Sequence, residues 1–188
     1  YKKDYRNVVV SGMGGSAIGG DILRVYAAKK AMVPVLVVRD YNIPAFVDQY
    51  SLFLAVSYSG NTEETLSAYS QAREQGASII CVTTGGKLKA MAKEDGYAVV
   101  EIPAGLVPRA ATGYLFAPLA LLLEELGIVE GVRQELQETV GVLRGMREEL
   151  HPGVEAGSNQ ARIIAGKLKN SLPVIWGTAG VSEVAALR

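Results

Sequence analysis

Cysteine and histidine occur once each in this sequence, as Cys81 and His151. A lone cysteine excludes an internal disulfide framework and a cysteine-rich metal centre, and it suits a reducing cytosol, so a cytoplasmic location is expected. A lone histidine argues against a histidine-cluster metal site, and no metal or cofactor is expected. An excess of charge of one sign is also missing. Nineteen Lys and Arg balance nineteen Asp and Glu, a formal charge of zero, and such a chain has no electrostatic reason to bind nucleic acid or an acidic membrane surface. Long apolar runs are absent as well, because the stretch 119–123 falls far short of the roughly 20 residues that span a bilayer. The opening residues do not read as a targeting leader, and the chain is expected to belong to a longer protein. What is present is 188 residues of ordinary globular composition, 49% apolar and 20% charged. That is enough for one domain, or for a domain and part of a second.

Short continuous apolar runs alternate with longer amphipathic stretches. The runs 7–11, 34–39, 52–57, 78–83 and 98–102 are rich in Val and Ile and mostly lack polar alternation, the pattern of strands buried on both sheet faces. Helices are expected over 16–30, 62–75, 87–94, 110–126, 129–150 and 159–170. Strand and helix in this rhythm predict parallel βαβ units. The reading is a doubly wound α/β domain with a five-stranded parallel sheet over residues 1–127, then a helical connector over 128–170. His151-Pro152-Gly153 reads as a linker within it. Residues 172–176 read as a further strand, followed by a Gly-rich turn and a helix that echo residues 7–18. This weak repeat makes 171–188 the expected beginning of a second, similar domain.

Two loops carry the chemistry. Gly12-Met13-Gly14-Gly15-Ser16 leaves the first strand and opens the first helix, where glycines admit a ligand to the backbone amides and the helix end favours an anion. Three readings stand there. Gly12-x-Gly14-x-x-Ala17 with Asp40 at the end of the second strand matches a dinucleotide fingerprint. A sugar-phosphate site using Ser16 and the nearby amides is the second reading, and a tight turn without a ligand is the third. The other loop, Ser57-Tyr58-Ser59-Gly60-Asn61-Thr62, brings three hydroxyls to one helix start. Thr62 alone suffices as an N-cap; capping does not call for Ser57, Ser59 and Gly60 too. Converging hydroxyls and amides at a positive helix end suit a dianionic phosphate monoester, and no lysine follows in the Walker position. Removing the Ser57 and Thr62 hydroxyls is expected to abolish such binding without loss of stability.

Together with Thr83-Thr84-Gly85-Gly86-Lys87 and Pro108-Arg109-Ala110-Ala111, these motifs resemble those of the sugar isomerase (SIS) domain family, and more narrowly the bifunctional phosphoglucose/phosphomannose isomerases. The resemblance runs over nearly the whole chain. It implies a flavodoxin-like SIS domain with the start of a second SIS half, and interconversion of glucose or mannose 6-phosphate with fructose 6-phosphate through an enediolate. By resemblance, Ser57, Ser59 and Thr62 bind the phosphate of a six-carbon sugar, and Gly14, Gly15 and Ser16 lie against the sugar. Arg109 is the expected catalytic group, stabilising the enediolate. The resemblance also implies a homodimer. The base, a glutamate in an Asn-Glu-Asn segment, and a ring-opening histidine are expected beyond Arg188, so Glu183 and His151 are not assigned those roles, and this chain alone is expected to be inactive. A reading of another class, a non-catalytic SIS module that senses a phosphosugar, shares the same loop.

Overall fold

The computed structural model of the protein describes residues 4–107, 109–180 and 182–187. Five strands, β1 (Asn7–Ser11), β2 (Val35–Val38), β3 (Ser51–Ser57), β4 (Ser78–Thr83) and β5 (Ala98–Glu101), form one sheet in the order β2-β1-β3-β4-β5. Every pairing is parallel, with Val9 opposite Leu36 on one side and Phe53 on the other. The three inner strands are buried at every position, and the edge strand β2 is half-buried throughout. This is why the runs show no polar alternation: both sides of each inner strand face protein. Val8, Val10, Leu52, Leu54, Val56, Ile80 and Val82 point into one apolar cluster, and their neighbours Val9, Phe53, Ala55, Ile79 and Cys81 into another.

Helices cover both faces. The first cluster is completed by α1 (Gly14–Ala27) and α4 (Thr112–Glu125), through Leu23, Ala27, Leu115, Leu119 and Leu123. The second is completed by α2 (Glu63–Glu74) and α3 (Gly86–Glu94), through Ala68, Tyr69, Ala72, Leu88 and Ala92. Between β2 and β3 the chain crosses β1 without a helix, and Val47 of that connection seals the second cluster. Burying a side chain such as Phe53 or Leu54 contributes about 1.5–3 kcal/mol. The contact between α1 and α4 is close. A Cβ at Gly19 would stand 2.4 Å from the carbonyl oxygen of Leu115, so the two backbones meet only because Gly19 has no side chain. Cys81, fully buried on β4, has its thiol pushed up to about 12 by that burial, consistent with an inert core thiol.

Beyond this layer lie α5 (Val132–Leu150), α6 (Gln160–Leu168) and α7 (Glu183–Leu187). The expected break at His151-Pro152 is present: α5 stops at Leu150, and His151 is extended (φ −67°, ψ 157°) as a residue before proline should be. The expected strand at 172–176 is not formed. Leu172, Val174, Ile175 and Trp176 are 90%, 73%, 72% and 88% exposed and join neither edge of the five-stranded sheet. The apolar run has strand composition but no ladder to enter, and a strand holds its shape only by pairing. The helix after it does form. It rests on α1 through the Arg24–Glu183 ion pair and buries Val184.

The α1–α4 contact predicts opposite effects for two glycines. Gly19→Ala should destabilise the fold by about 1–3 kcal/mol through overpacking. Gly141→Ala, on exposed α5 with no atom within 4 Å of the new Cβ, should stabilise it by about 0.5–1 kcal/mol. Urea unfolding of the two variants measures both; equal effects would contradict the close approach.

Candidate functional site

In a parallel sheet the connections that follow the strands gather at one edge. The strand order reverses between β1 and β3, and ligands of open α/β sheets bind in the crevice at such a reversal. The Gly-rich turn follows β1 and the hydroxyl loop follows β3. The structure brings them into contact: the Tyr58 backbone N–H donates to Ser16 Oγ at 3.1 Å, with Ser16 buried.

The hydroxyl loop is braced from within. Ser57, 1% exposed, accepts from the Gly60 N–H at 3.0 Å, and its Oγ lies 2.9 Å from Thr62 Oγ1 in a hydroxyl–hydroxyl bond. Thr62 occupies the N-cap position of α2, yet its side chain makes no capping bond, so the capping reading of this residue does not hold. Ser59 is exposed, its Oγ accepting from the Asn61 N–H at 3.2 Å. No capping side chain takes the first-turn amides of α1 or α2, two of the helices that start at this edge. Asn159, by contrast, caps α6 by accepting from the Arg162 N–H at 3.2 Å. Uncapped helix starts facing a crevice leave N–H donors and a positive dipole end directed at whatever binds there.

The third motif locks onto this loop. Thr84 Oγ1 donates to the Tyr58 carbonyl at 2.7 Å, and the Leu88 N–H donates to the Gly60 carbonyl at 2.9 Å. Gly60 has φ +70°, and a Cβ there would lie 1.8 Å from the carbonyl oxygen of Gly85. Only glycine fits that turn. Asn61, which the sequence reading passed over, is a clamp: its Oδ1 accepts from the Lys87 N–H at 3.1 Å and its Nδ2 donates to the Ser59 carbonyl at 3.2 Å. Its signal was a residue with both donor and acceptor between a turn glycine and a helix start. Thr65 was passed over too. It is 1% exposed, and its hydroxyl has no hydrogen-bond partner among the described residues.

Of the other predicted groups, Gly14 is exposed and Gly15 half-buried at the start of α1. Arg109 is exposed at the same sheet edge, on the turn before α4, and its carbonyl accepts from Thr112 Oγ1 at 3.0 Å. Pro108 of the same motif lies outside the described residues. Asp40, the acid of the dinucleotide reading, accepts from the Asn42 N–H at 3.1 Å and so closes its own turn. Glu183 is tied to Arg24 and accepts from the Gly180 N–H at 2.6 Å; both hold its carboxyl below the usual carboxylate range, Arg24 most. A proton acceptor needs the opposite shift. His151 accepts from the Gly153 N–H at 2.9 Å, within the linker.

A five-stranded parallel sheet covered by helices, with hydroxyls and small-residue turns at its switch point, defines a doubly wound α/β domain. Residues 3–107 match the SIS domain, and the chain belongs to that family. Among curated proteins, a bifunctional phosphoglucose/phosphomannose isomerase of Caldicellulosiruptor bescii is 52% identical over 186 residues, 99% of this chain and 55% of that protein. One of the same name from Aquifex aeolicus is 34% identical over 96% of this chain and 53% of that protein. The chain therefore spans about half the length of these relatives. The solved tagatose-6-phosphate ketose/aldose isomerase of Escherichia coli superposes with a TM-score of 0.58 at 16% identity, over 98% of this chain and 51% of that one. At that identity the likeness concerns the fold.

Two substitutions test the site's construction. Gly60→Ala should cost at least about 2–3 kcal/mol, from the left-handed backbone and the clash together. Thr65→Val replaces an unpartnered buried hydroxyl with a methyl and should leave stability unchanged or raise it by about 1 kcal/mol. Thermal unfolding reads both, and a large loss for Thr65→Val would mean that the hydroxyl is satisfied after all.

Proposed function

We propose that this chain carries the phosphate- and sugar-binding half of an aldose–ketose isomerase acting on glucose or mannose 6-phosphate and fructose 6-phosphate. The observation that carries the reading is the hydroxyl loop clamped against the Gly-rich turn at the switch point, with Ser16, Ser57, Ser59 and Thr62 around one crevice. The printed names of relatives that match almost the full length of this chain support the substrate class. In this reading the uncapped start of α2 and the hydroxyls of Ser59 and Thr62 receive the phosphate. Ser57, buried, shapes the loop and shares its proton with Thr62. Gly14, Gly15 and Ser16 lie along the sugar.

Isomerisation moves a proton between adjacent carbons while negative charge builds on oxygen. A guanidinium beside that oxygen stabilises the transition state more than the ground state, and this is the role proposed for Arg109. The base and the ring-opening group are proposed to come from sequence outside residues 1–188, because Glu183 and His151 are committed elsewhere. Residues 171–188 are proposed to open the second domain, with 172–176 pairing once the rest of its sheet is present. A homodimer and a cytoplasmic location belong to the same proposal. Among the described residues no helix is long and apolar enough to cross a membrane.

Three variants test this reading. Ser59→Ala removes an exposed hydroxyl and should weaken fructose 6-phosphate binding at least tenfold, with little change in thermal midpoint. Ser57→Ala differs from the sequence expectation: removing a buried acceptor should lower both binding and stability, the latter by about 1–2 kcal/mol. In the full-length protein, Arg109→Ala should lower kcat on mannose and glucose 6-phosphate by about 100–1,000-fold, with a smaller change in KM. A raised KM at unchanged kcat would make Arg109 a ground-state binder, and full-length protein inert on both sugars would contradict the isomerase.

A further inference from the structure

Tyr58 sits between the hydroxyls of the loop, and its own hydroxyl is turned away from them. It donates to the Pro103 carbonyl at 3.0 Å and accepts from the Leu106 N–H at 2.9 Å. Those two residues belong to the connection between β5 and α4, which ends in the turn bearing Arg109. The strand order makes this contact unusual. β5 is the outer strand, separated from β3 by β4, so the connection after β5, described over 102–107 and 109–111, must fold back across the end of β4 to bring α4 onto α1. Tyr58 is where that returning segment is fastened. Its backbone is fixed at the same time, N–H to Ser16 Oγ and carbonyl to Thr84 Oγ1 and the Thr84 N–H at 3.1 Å. The half-buried ring packs against the first apolar cluster beside Leu106. One residue therefore joins the connections that follow β1, β3, β4 and β5.

We infer that Tyr58 is a positioning residue for the proposed isomerisation, holding the 102–111 segment so that Arg109 stands over the crevice formed by the phosphate loop. The inference rests on the function proposed above for Arg109. It assigns Tyr58 a catalytic consequence without contact with the substrate. The hydroxyl matters here and the ring does not, because the ring alone supplies packing and only the oxygen both accepts from Leu106 and donates to Pro103. A misplacement on the scale of an ångström is costly for a group that must meet a developing charge.

The test is Tyr58→Phe in the full-length protein, alone and combined with Arg109→Ala. The single variant should lose about 10–100-fold in kcat while KM for the sugar phosphate stays within about twofold. In the Arg109→Ala background the same change should cost almost nothing more, because both act through one group. Hydrogen exchange gives a readout independent of turnover. The amides of Ala110 and Ala111, which donate to the Val107 carbonyl and not to Tyr58, should exchange faster in the variant, while those of β1 and β3 should not. Losses that multiply in the double variant, or a lowered thermal midpoint with kcat intact, would reduce Tyr58 to a structural residue and overturn the inference. If the unmodified full-length protein isomerises nothing, the proposed function fails instead, and unchanged exchange at Ala110 and Ala111 would overturn the fastening on its own.

Discussion

The backbone of Tyr58 to Gly60 is held from three sides, and the rest of the edge is arranged around it. The β1 connection reaches it through Ser16, the β4 connection through Thr84 and Leu88, and Gly85 presses so closely that position 60 has room for no side chain. Backbone polar groups that are hydrogen-bonded on all sides do not reorganise when a ligand arrives, and a site fixed in advance spends less of its binding energy on ordering. The parallel sheet makes the meeting possible. Strand ends that all point one way deliver their connections to one edge, and the reversal of order between β1 and β3 opens the crevice there.

Charge at this site is local. A chain of zero formal charge offers no long-range steering, so an anion must be held by what lies within a few ångströms of it. In the proposed reading the uncapped starts of α1 and α2 supply that, because their amides are not taken by a capping side chain. Glu63 accepts from the Tyr41 hydroxyl at 3.4 Å, across the connection between β2 and β3.

Much of the fold was legible because burial on both sheet faces writes itself into sequence as unbroken Val and Ile runs. Each of the five runs became a strand within a residue or two of its expected ends. The run at 172–176 has the same composition and failed, because composition reports the wish to be buried and not the presence of a partner strand. The loop hydroxyls stood out in the sequence through their excess over what capping requires, and in the structure Thr62 holds the N-cap position without a side-chain capping bond. Tyr58 and Asn61 were not legible as braces. Their partners, Pro103, Leu106 and Lys87, are 26 to 48 residues away, and no local pattern announces a contact made only by the topology. Asp40 shows the ambiguity of position alone: it fits a dinucleotide fingerprint, and in the structure it closes a turn.

The central claim is that the edge between β1 and β3 is a sugar-phosphate site and not a dinucleotide site or an unliganded turn. Differential thermal unfolding of this chain with fructose 6-phosphate, fructose, or NAD tests it most directly, since a ligand that binds only the native state raises the midpoint by mass action. The account predicts a rise of several degrees with fructose 6-phosphate, little with unphosphorylated fructose, and none with NAD. A rise with NAD, or equal effects from fructose and its 6-phosphate, would contradict it.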